Sequence, residues 1–336
     1  MVPNLMKTLS YFEKTLLCFY YIISLEEEVK NLIYTLTTNP AIDMNIKSNK
    51  IVPAKVNRTI ETTYFATGKG INVSLVLKHY GVKSKILGFF GGFTGKYIVD
   101  ELVKQGFDVK AIWIDNPSRI NVFINDGENE FKFLDKGPLI PIDKQVKLKD
   151  VIENLNDCSY LVISGSLPPN VDDSYYDDIL KICVRKNIKV ILDISSKKLK
   201  DLLIYKPLLI KPNNDEIKEI FGYDVSNEEK VGETLKKINK MGAQNILLTM
   251  GSKGMYFYNG KHLYFCDTPE INLVSSACAG DSALAAFLSE WLFNQNIDMA
   301  LRKSSATGAN VAESWGIGEL KNIYKYLDLL NVKEVF

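Results

Sequence analysis

Apolar residues fall along the chain in two alternating patterns. Short runs rich in Ile, Leu, Val, Phe and Tyr occur at 33–37, 85–89, 109–114, 160–164, 189–193, 208–210 and 245–249, bounded by polar or turn residues. Their length and composition are those of strands in a covered sheet. Between them, apolar residues return at the spacing of one helix face at 71–80, 97–105, 174–186, 215–221 and 228–241. Strands alternating with helices predict an α/β fold, a mainly parallel sheet with helices on both faces. Two stretches break the rhythm. Residues 44–51 with 56–65, and 120–124 with 130–134, are paired β-forming runs joined through turn residues. They are expected to lie outside the main sheet as a small β lid drawn from 44–65 and 119–134. No repeat or low-complexity linker divides the chain, so 32–336 is read as one domain with a β insertion.

Composition narrows the class. The 336 residues are 46% hydrophobic and 24% charged, with a formal net charge of +1, enough chain to bury a large core. A near-neutral balance without a dense basic block argues against nucleic acid as a partner. Cys18, Cys158, Cys183, Cys266 and Cys278 are odd in number and scattered, and two histidines give little support to a metal site. The pattern is that of a reducing compartment, so a cytoplasmic protein without structural zinc is expected.

Residues 1–31 stand apart. An apolar run from Thr15 to Leu25 is too short to span a bilayer, and Glu26-Glu27-Glu28 follows where a signal peptide would carry small residues. No membrane partner is expected. The first strand-like run begins at Leu32-Ile33, and purine-rich glutamate codons just upstream resemble a translated ribosome-binding site. Residues 1–31 are therefore read as an over-extended reading frame outside the domain, with Leu32 at the initiation codon.

Two segments carry candidate chemistry. Ser276-Ala277-Cys278-Ala279-Gly280-Asp281-Ser282 is a small-residue turn running into an apolar helix. Free backbone N–H groups at a helix start bind anions, and Asp281 would stand at the mouth of that site as a candidate general base. In Ala66-Thr67-Gly68-Lys69-Gly70-Ile71-Asn72, a glycine-bracketed lysine opens a second helix. Gly68 lets the backbone approach a ligand, and Lys69 and Asn72 could bind a phosphate or a sugar hydroxyl. The segment is not a Walker A loop, and no Gly-x-Gly-x-x-Gly follows the first strand as a dinucleotide-binding oxidoreductase requires.

Taken together, these segments resemble the paired GGKGxN and GAGD signatures of the PfkB (ribokinase-like) carbohydrate kinases. The resemblance extends to Asn39-Pro40-Ala41-Ile42-Asp43, to Ser164-Gly165-Ser166-Leu167-Pro168, to Lys211-Pro212-Asn213-Asn214-Asp215-Glu216 and to Thr249-Met250-Gly251-Ser252-Lys253-Gly254, in the family's order. Val56-Asn57-Arg58, Arg119-Ile120-Asn121-Val122 and Gly137-Pro138 are most similar to the 1-phosphofructokinase and tagatose-6-phosphate kinase branch. The resemblance implies ATP and Mg²⁺ as cofactors and a phosphorylated ketohexose as substrate. D-Fructose 1-phosphate stands first, with tagatose 6-phosphate and fructose 6-phosphate as alternatives. It implies Asp281 as general base, and Cys278, Ala279 and Gly280 as the anion hole. Asp43, Gly68, Lys69, Asn72 and Arg119 would bind the phosphosugar, Lys69 and Arg119 its phosphate. Lys211, Asn213, Glu216, Thr249, Gly251, Gly254 and Asn310 would line the nucleotide site, with Asn213 and Glu216 reaching Mg²⁺ through its water shell.

Two positions depart from the family pattern. Thr67 replaces the first glycine of GGKG, harmless if φ there is negative. Cys278 replaces the first glycine of GAGD, where a β-carbon brings strain if φ is positive and where a helix start could lower the thiol pKa and make it reactive. A non-catalytic sugar-phosphate sensor is the reading that Cys278 would support. The lid is expected to make a homodimer, since a small sheet over a site must cover its other face.

Overall fold

The structure, a computed structural model, describes residues 32–336. The extension expected over 1–31 lies outside the described residues. Ten strands form one sheet in the order β14-β13-β12-β11-β10-β9-β8-β1-β4-β5. Its parallel part comprises β1 (Ile33–Thr37), β4 (Ser84–Gly91), β5 (Asp108–Ile114), β8 (Tyr160–Ser164), β9 (Lys189–Asp193), β10 (Leu209–Ile210) and β11 (Ile246–Thr249). These match the seven expected runs to within a residue or two at each end. Three antiparallel strands extend the sheet: β12 (Met255–Tyr258), β13 (Leu263–Cys266) and β14 (Val332–Glu334). The spacing of apolar runs does not mark them. The β12–β13 hairpin is marked by Asn259-Gly260, a strong turn signal, between two aromatic-rich runs.

Among the described residues seven helices exceed ten residues: α1 (Lys69–His79), α2 (Gly92–Lys104), α3 (Ile142–Glu153), α4 (Ser174–Arg185), α5 (Glu228–Met241), α6 (Ala279–Asn294) and α7 (Ile297–Ala312). The helix expected over 215–221 forms as one α-turn, Asn214–Glu216, continued as a π-turn, Ile217–Phe221. Alternate strand residues enter opposite cores. Tyr34, Leu36, Leu161, Ile163 and Leu192 pack with α3, α4 and α5, whereas Ile33, Val162, Ile191 and Leu247 pack with α1, α6 and α7. Both faces are covered, which is why the parallel strands read as unbroken apolar runs.

The lid forms as a separate sheet, β3-β2-β6-β7, from β2 (Ala41–Ser48), β3 (Thr59–Thr67), β6 (Arg119–Asn125) and β7 (Glu130–Phe133). Register divides its residues between two faces. Asp43, Asn121 and Phe65 lie abreast on one side, Asn45, Thr63 and Phe123 beyond them. The opposite side carries Met44, Tyr64, Val122 and Phe133, then Ile46, Ile124 and Phe131. At its base Ile42, with Ala66 and Ile120, packs on Phe90, Ile98 and Leu102, fixing the lid to α2 and β4.

Candidate active site

Parallel register aligns four polar residues along the sheet rim, where the carboxyl ends of parallel strands offer a ligand crevice. Ser164 pairs with Asp193, and Thr37 and Lys211 continue the row from β1 and β10. Thr37 Oγ1, Ser164 Oγ and Asp193 Oδ2 are buried without a hydrogen-bond partner. Orphaned buried polar atoms are costly, so three of them in one row at the carboxyl ends of the strands make this rim a candidate place for a polar ligand. Gly68 brings α1 against this rim. Its φ is +146°, and a Cβ there would lie 2.6 Å from Thr37 Cγ2.

Asp281 stands in the first turn of α6, only 6% exposed. Asn72 Nδ2, in the first turn of α1, donates to Asp281 Oδ2 at 2.9 Å. Asp193 lies nearby in the same buried patch and takes the cations: Lys211 Nζ is 3.1 Å and Lys69 Nζ 3.9 Å from its Oδ1. The two carboxylates therefore separate. Burial raises both, but Lys211 and Lys69 outweigh it at Asp193 and hold that group below the usual carboxylate range. At Asp281, burial and the charge of Asp193 prevail over Lys69, Asn72 and Lys211, and its pKa is pushed up towards 7. A carboxyl poised near neutrality at a helix start is suited to accept a proton.

Cys278 caps α6 with φ 64° and ψ −12°, the left-handed region. The glycine of the family motif is thus explained by the backbone, and cysteine here carries strain of about 1–2 kcal/mol. The thiol is not activated as expected. Burial, then Asp281 and Asp43, push it up to about 12, so burial, aided by the carboxylates, overrides the helix start. Thr67 ends β3 and is absent from the positive-φ residues, so its replacement of glycine is free of strain. A β-carbon on Gly280 would lie 3.5 Å from Lys211 Nζ, which places that ammonium over the α6 start. Lys211, expected among nucleotide-site residues, lies between Asp193 and the start of α6.

On the lid, Asp43 Oδ1 accepts from Asn121 Nδ2 at 2.8 Å, and burial raises its pKa against the pull of Asn121 and Arg119. Arg119 donates from Nε to Asn39 O at 3.1 Å and from Nη1 to Asp135 O at 3.0 Å, leaving part of its fork free. Lys69 has other charge partners, Asp193, Asp281 and Glu216, of which Asp193 contributes most to raising its pKa. The two expected phosphate-clamp residues thus serve different groups of carboxylates. A cavity of about 670 Å³ runs beneath the β3 edge, lined by Asp43, Thr67, Asn72 and Cys278, and extends to Tyr97 and Trp315.

The expected nucleotide residues divide. Asn213 and Thr249 are joined by a β-bridge, and Gly251 and Gly254 adopt φ 58° and 91° in the next turn. A Cβ on Gly254 would meet Cys266 O at 2.3 Å. Asn213 and Glu216 form a capping box: Glu216 N donates to Asn213 Oδ1, and Asn213 N to Glu216 Oε2. Ser195 Oγ donates to the other Glu216 oxygen at 2.5 Å. Asn310 is 5% exposed, and its Oδ1 accepts from Asn322 N. Asp193, Thr67 and Asn121, which the sequence patterns do not single out as binding residues, stand beside Asp281, Asn72 and Asp43. Thr67 and Asn121 lie inside motifs that carry the family resemblance, whereas Asp193 shows only through lateral register.

A family model described as pfkB family carbohydrate kinase matches residues 30–322. The chain belongs to the pfkB carbohydrate kinase family. This pfkB kinase is 46% identical to the D-tagatose-1-phosphate kinase of Klebsiella oxytoca over 90% of its own length and 100% of the relative's. It is 33% identical to the 1-phosphofructokinase of Borreliella burgdorferi, over 91% and 99% of the two chains. The crystal structure of Escherichia coli phosphofructokinase-2 in complex with fructose-6-phosphate superposes with a TM-score of 0.80 at 24% identity, covering 89% of this chain and 99% of that one.

Proposed function

We propose that residues 32–336 form a kinase unit that transfers the γ-phosphoryl group of ATP to the C6 hydroxyl of a ketohexose 1-phosphate, giving a 1,6-bisphosphate and ADP. The observation that carries this reading is Asp281, buried, poised near neutrality and held by Asn72 at the start of α6. As the C6 hydroxyl attacks, Asp281 takes its proton, while the Ala279 and Gly280 amides and the Lys211 ammonium receive the charge of the transferring group. Asp43, oriented by Asn121, binds sugar hydroxyls. Arg119 takes the substrate phosphate, and Lys69 bridges between it and the transferring group. Gly68 allows the close approach, and Thr249, Gly251 and Gly254 line the nucleotide side.

Mg²⁺ fits as an ion carried by the phosphates of ATP. Each Glu216 oxygen already accepts one bond and keeps a lone pair for a metal-bound water, so Asn213 and Glu216 would hold the ion through its hydration shell. The ion supplies charge neutralisation of the phosphates.

The 46% identity to a D-tagatose-1-phosphate kinase supports D-tagatose 1-phosphate, the C4 epimer of D-fructose 1-phosphate, as a substrate beside it. A coupled ADP-release assay with the 1- and 6-phosphates of both sugars tests the reading. Higher kcat/KM on the 1-phosphates is expected; preference for a 6-phosphate overturns the phosphate position, and turnover on none of the four overturns the substrate class. The half-buried or buried free cysteines Cys158, Cys183, Cys266 and Cys278 support a reducing, cytoplasmic setting. No helix among the described residues is long and apolar enough to cross a membrane.

A further inference from the structure

Thr67 stands where the family motif carries glycine, and the structure gives its hydroxyl a partner that glycine could not have. The residue is 7% exposed at the end of β3. Its Oγ1 donates to Asn72 Oδ1 at 3.0 Å, and Asn72 Nδ2 donates to Asp281 Oδ2 at 2.9 Å. Direction in this chain is set from the carboxylate end. An ionised carboxylate only accepts, so Asn72 must turn its nitrogen to Asp281 and its oxygen to Thr67, and the hydroxyl must then donate.

We propose that Thr67 is a positioning residue for the general base, fixing the flip and rotamer of Asn72 so that one Asp281 oxygen is held and the other is left for the substrate hydroxyl. The proposal rests on the reading of Asp281 as base. Three features of the site favour it. Threonine is stiff at χ1, so a buried Thr67 holds its hydroxyl in one direction at small entropic cost. Asn72 sits in the first turn of α1, anchored by its own backbone N–H to Gly68 O at 2.8 Å, so only the side-chain torsions remain to be fixed. Thr67, Asn72 and Cys278 line one cavity, so without the hydroxyl the amide is left beside the Cys278 thiol, a weak hydrogen-bonding group. An Asn72 free to rotate would present its oxygen to Asp281 part of the time, which disfavours the ionised form that must accept the proton.

The test is the pH profile of kcat for the full chain, with Thr67→Val, Thr67→Ser and Asp281→Asn measured beside the wild type. Valine keeps shape and removes the donor; serine restores it. Thr67→Val is expected to lose up to about tenfold in kcat at neutral pH, the upper end of what one hydrogen bond between neutral groups contributes. Its acid limb should move to higher pH by roughly half a unit or more, with KM for ATP and the unfolding temperature near wild type. Thr67→Ser should recover both kcat and the limb. Thr67→Ala serves as the donor-free variant if the valine protein does not fold. The proposal is overturned if the donor-free variant has a wild-type limb, or if Thr67→Ser is displaced as far as Thr67→Val. Failure of the underlying reading looks different: Asp281→Asn would then turn over normally, whereas an inactive Asp281→Asn with an unmoved Thr67→Val limb rejects Thr67 alone.

Discussion

Asp281 and Asp193 share one buried patch, and the partition of cations between them decides what each can do. Lys211 and Lys69 sit on Asp193, so Asp281 is left with an amide donor and a raised pKa. Asp281→Asn preserves shape and the bond from Asn72 but cannot accept a proton. Turnover should fall roughly a hundredfold or more while ATP affinity, measured by calorimetry, stays near wild type. Stability should move the other way. The folded-state pKa of Asp281 lies above its unfolded value of 3.8, so the folded protein binds the extra proton between about 4 and about 7 and loses stability as pH rises through that window. Above it, the buried charge is a burden that asparagine removes. Asp281→Asn should therefore unfold at a temperature higher than wild type by a few degrees at pH 8, with the gain vanishing near pH 4; equal unfolding temperatures at pH 8 would contradict the raised pKa. Asp281, Lys69 and Asn72 were legible in the sequence because each lies within a few residues of glycines that bend the chain towards a ligand. Asp193 was not. It is the last residue of an ordinary buried strand, and its importance comes from Ser164 and Lys211 on the neighbouring strands.

At the scale of elements, the α6 start joins strain to function. A helix whose N-cap is at φ 64° turns its first amides towards the sheet rim, and any residue but glycine carries a cost there. Cys278→Val puts a β-branched side chain in the left-handed region and should lower stability relative to cysteine, read by thermal or urea unfolding. Cys278→Gly should fold at near wild-type stability and retain turnover, because relieved strain offsets added freedom in the unfolded chain. With its pKa raised, the thiol should react with iodoacetamide at pH 8 more slowly than free cysteine, by mass spectrometry of the intact protein. The parallel strands and their helices were legible because burial on both faces writes itself as apolar runs. What escaped was the antiparallel edge and the two long helices α3 and α7. Of the twelve residues of α3, only Leu148 and Ile152 are buried, too few to mark an apolar face. α7 is rich in Ala, Ser, Thr and Gly because it packs closely on α6, and small residues carry little periodic signal.

For the whole molecule, the unresolved balance lies on the lid. Its Asp43 side mixes Asp43, Asn45, Thr63 and Asn121 with Phe65 and Phe123, whereas the other side presents Met44, Ile46, Val122, Ile124, Phe131 and Phe133 along two central strands and one edge. Phe133 is 58% exposed and Ile60, at the β3 end, 59%. An apolar sheet face left in water is the unfavourable arrangement that association removes, and a second copy of the same lid offers the same surface in return, the self-complementarity of a two-fold dimer. We propose such a dimer. Contact across the apolar faces would also hold each lid over its own sugar site and keep water from the transferring phosphoryl group. The expected species in light scattering has twice the 38.0 kDa mass of one chain. Phe133→Asp and Ile60→Asp, which place charge in that contact and touch no proposed site residue, should each shift the protein to the monomer mass. KM for the phosphosugar should rise with that shift, because Asp43 and Arg119 ride on the lid. A wild-type protein that is monomeric and fully active at assay concentration would show that each lid closes without a partner, and that its apolar face is covered in some other way.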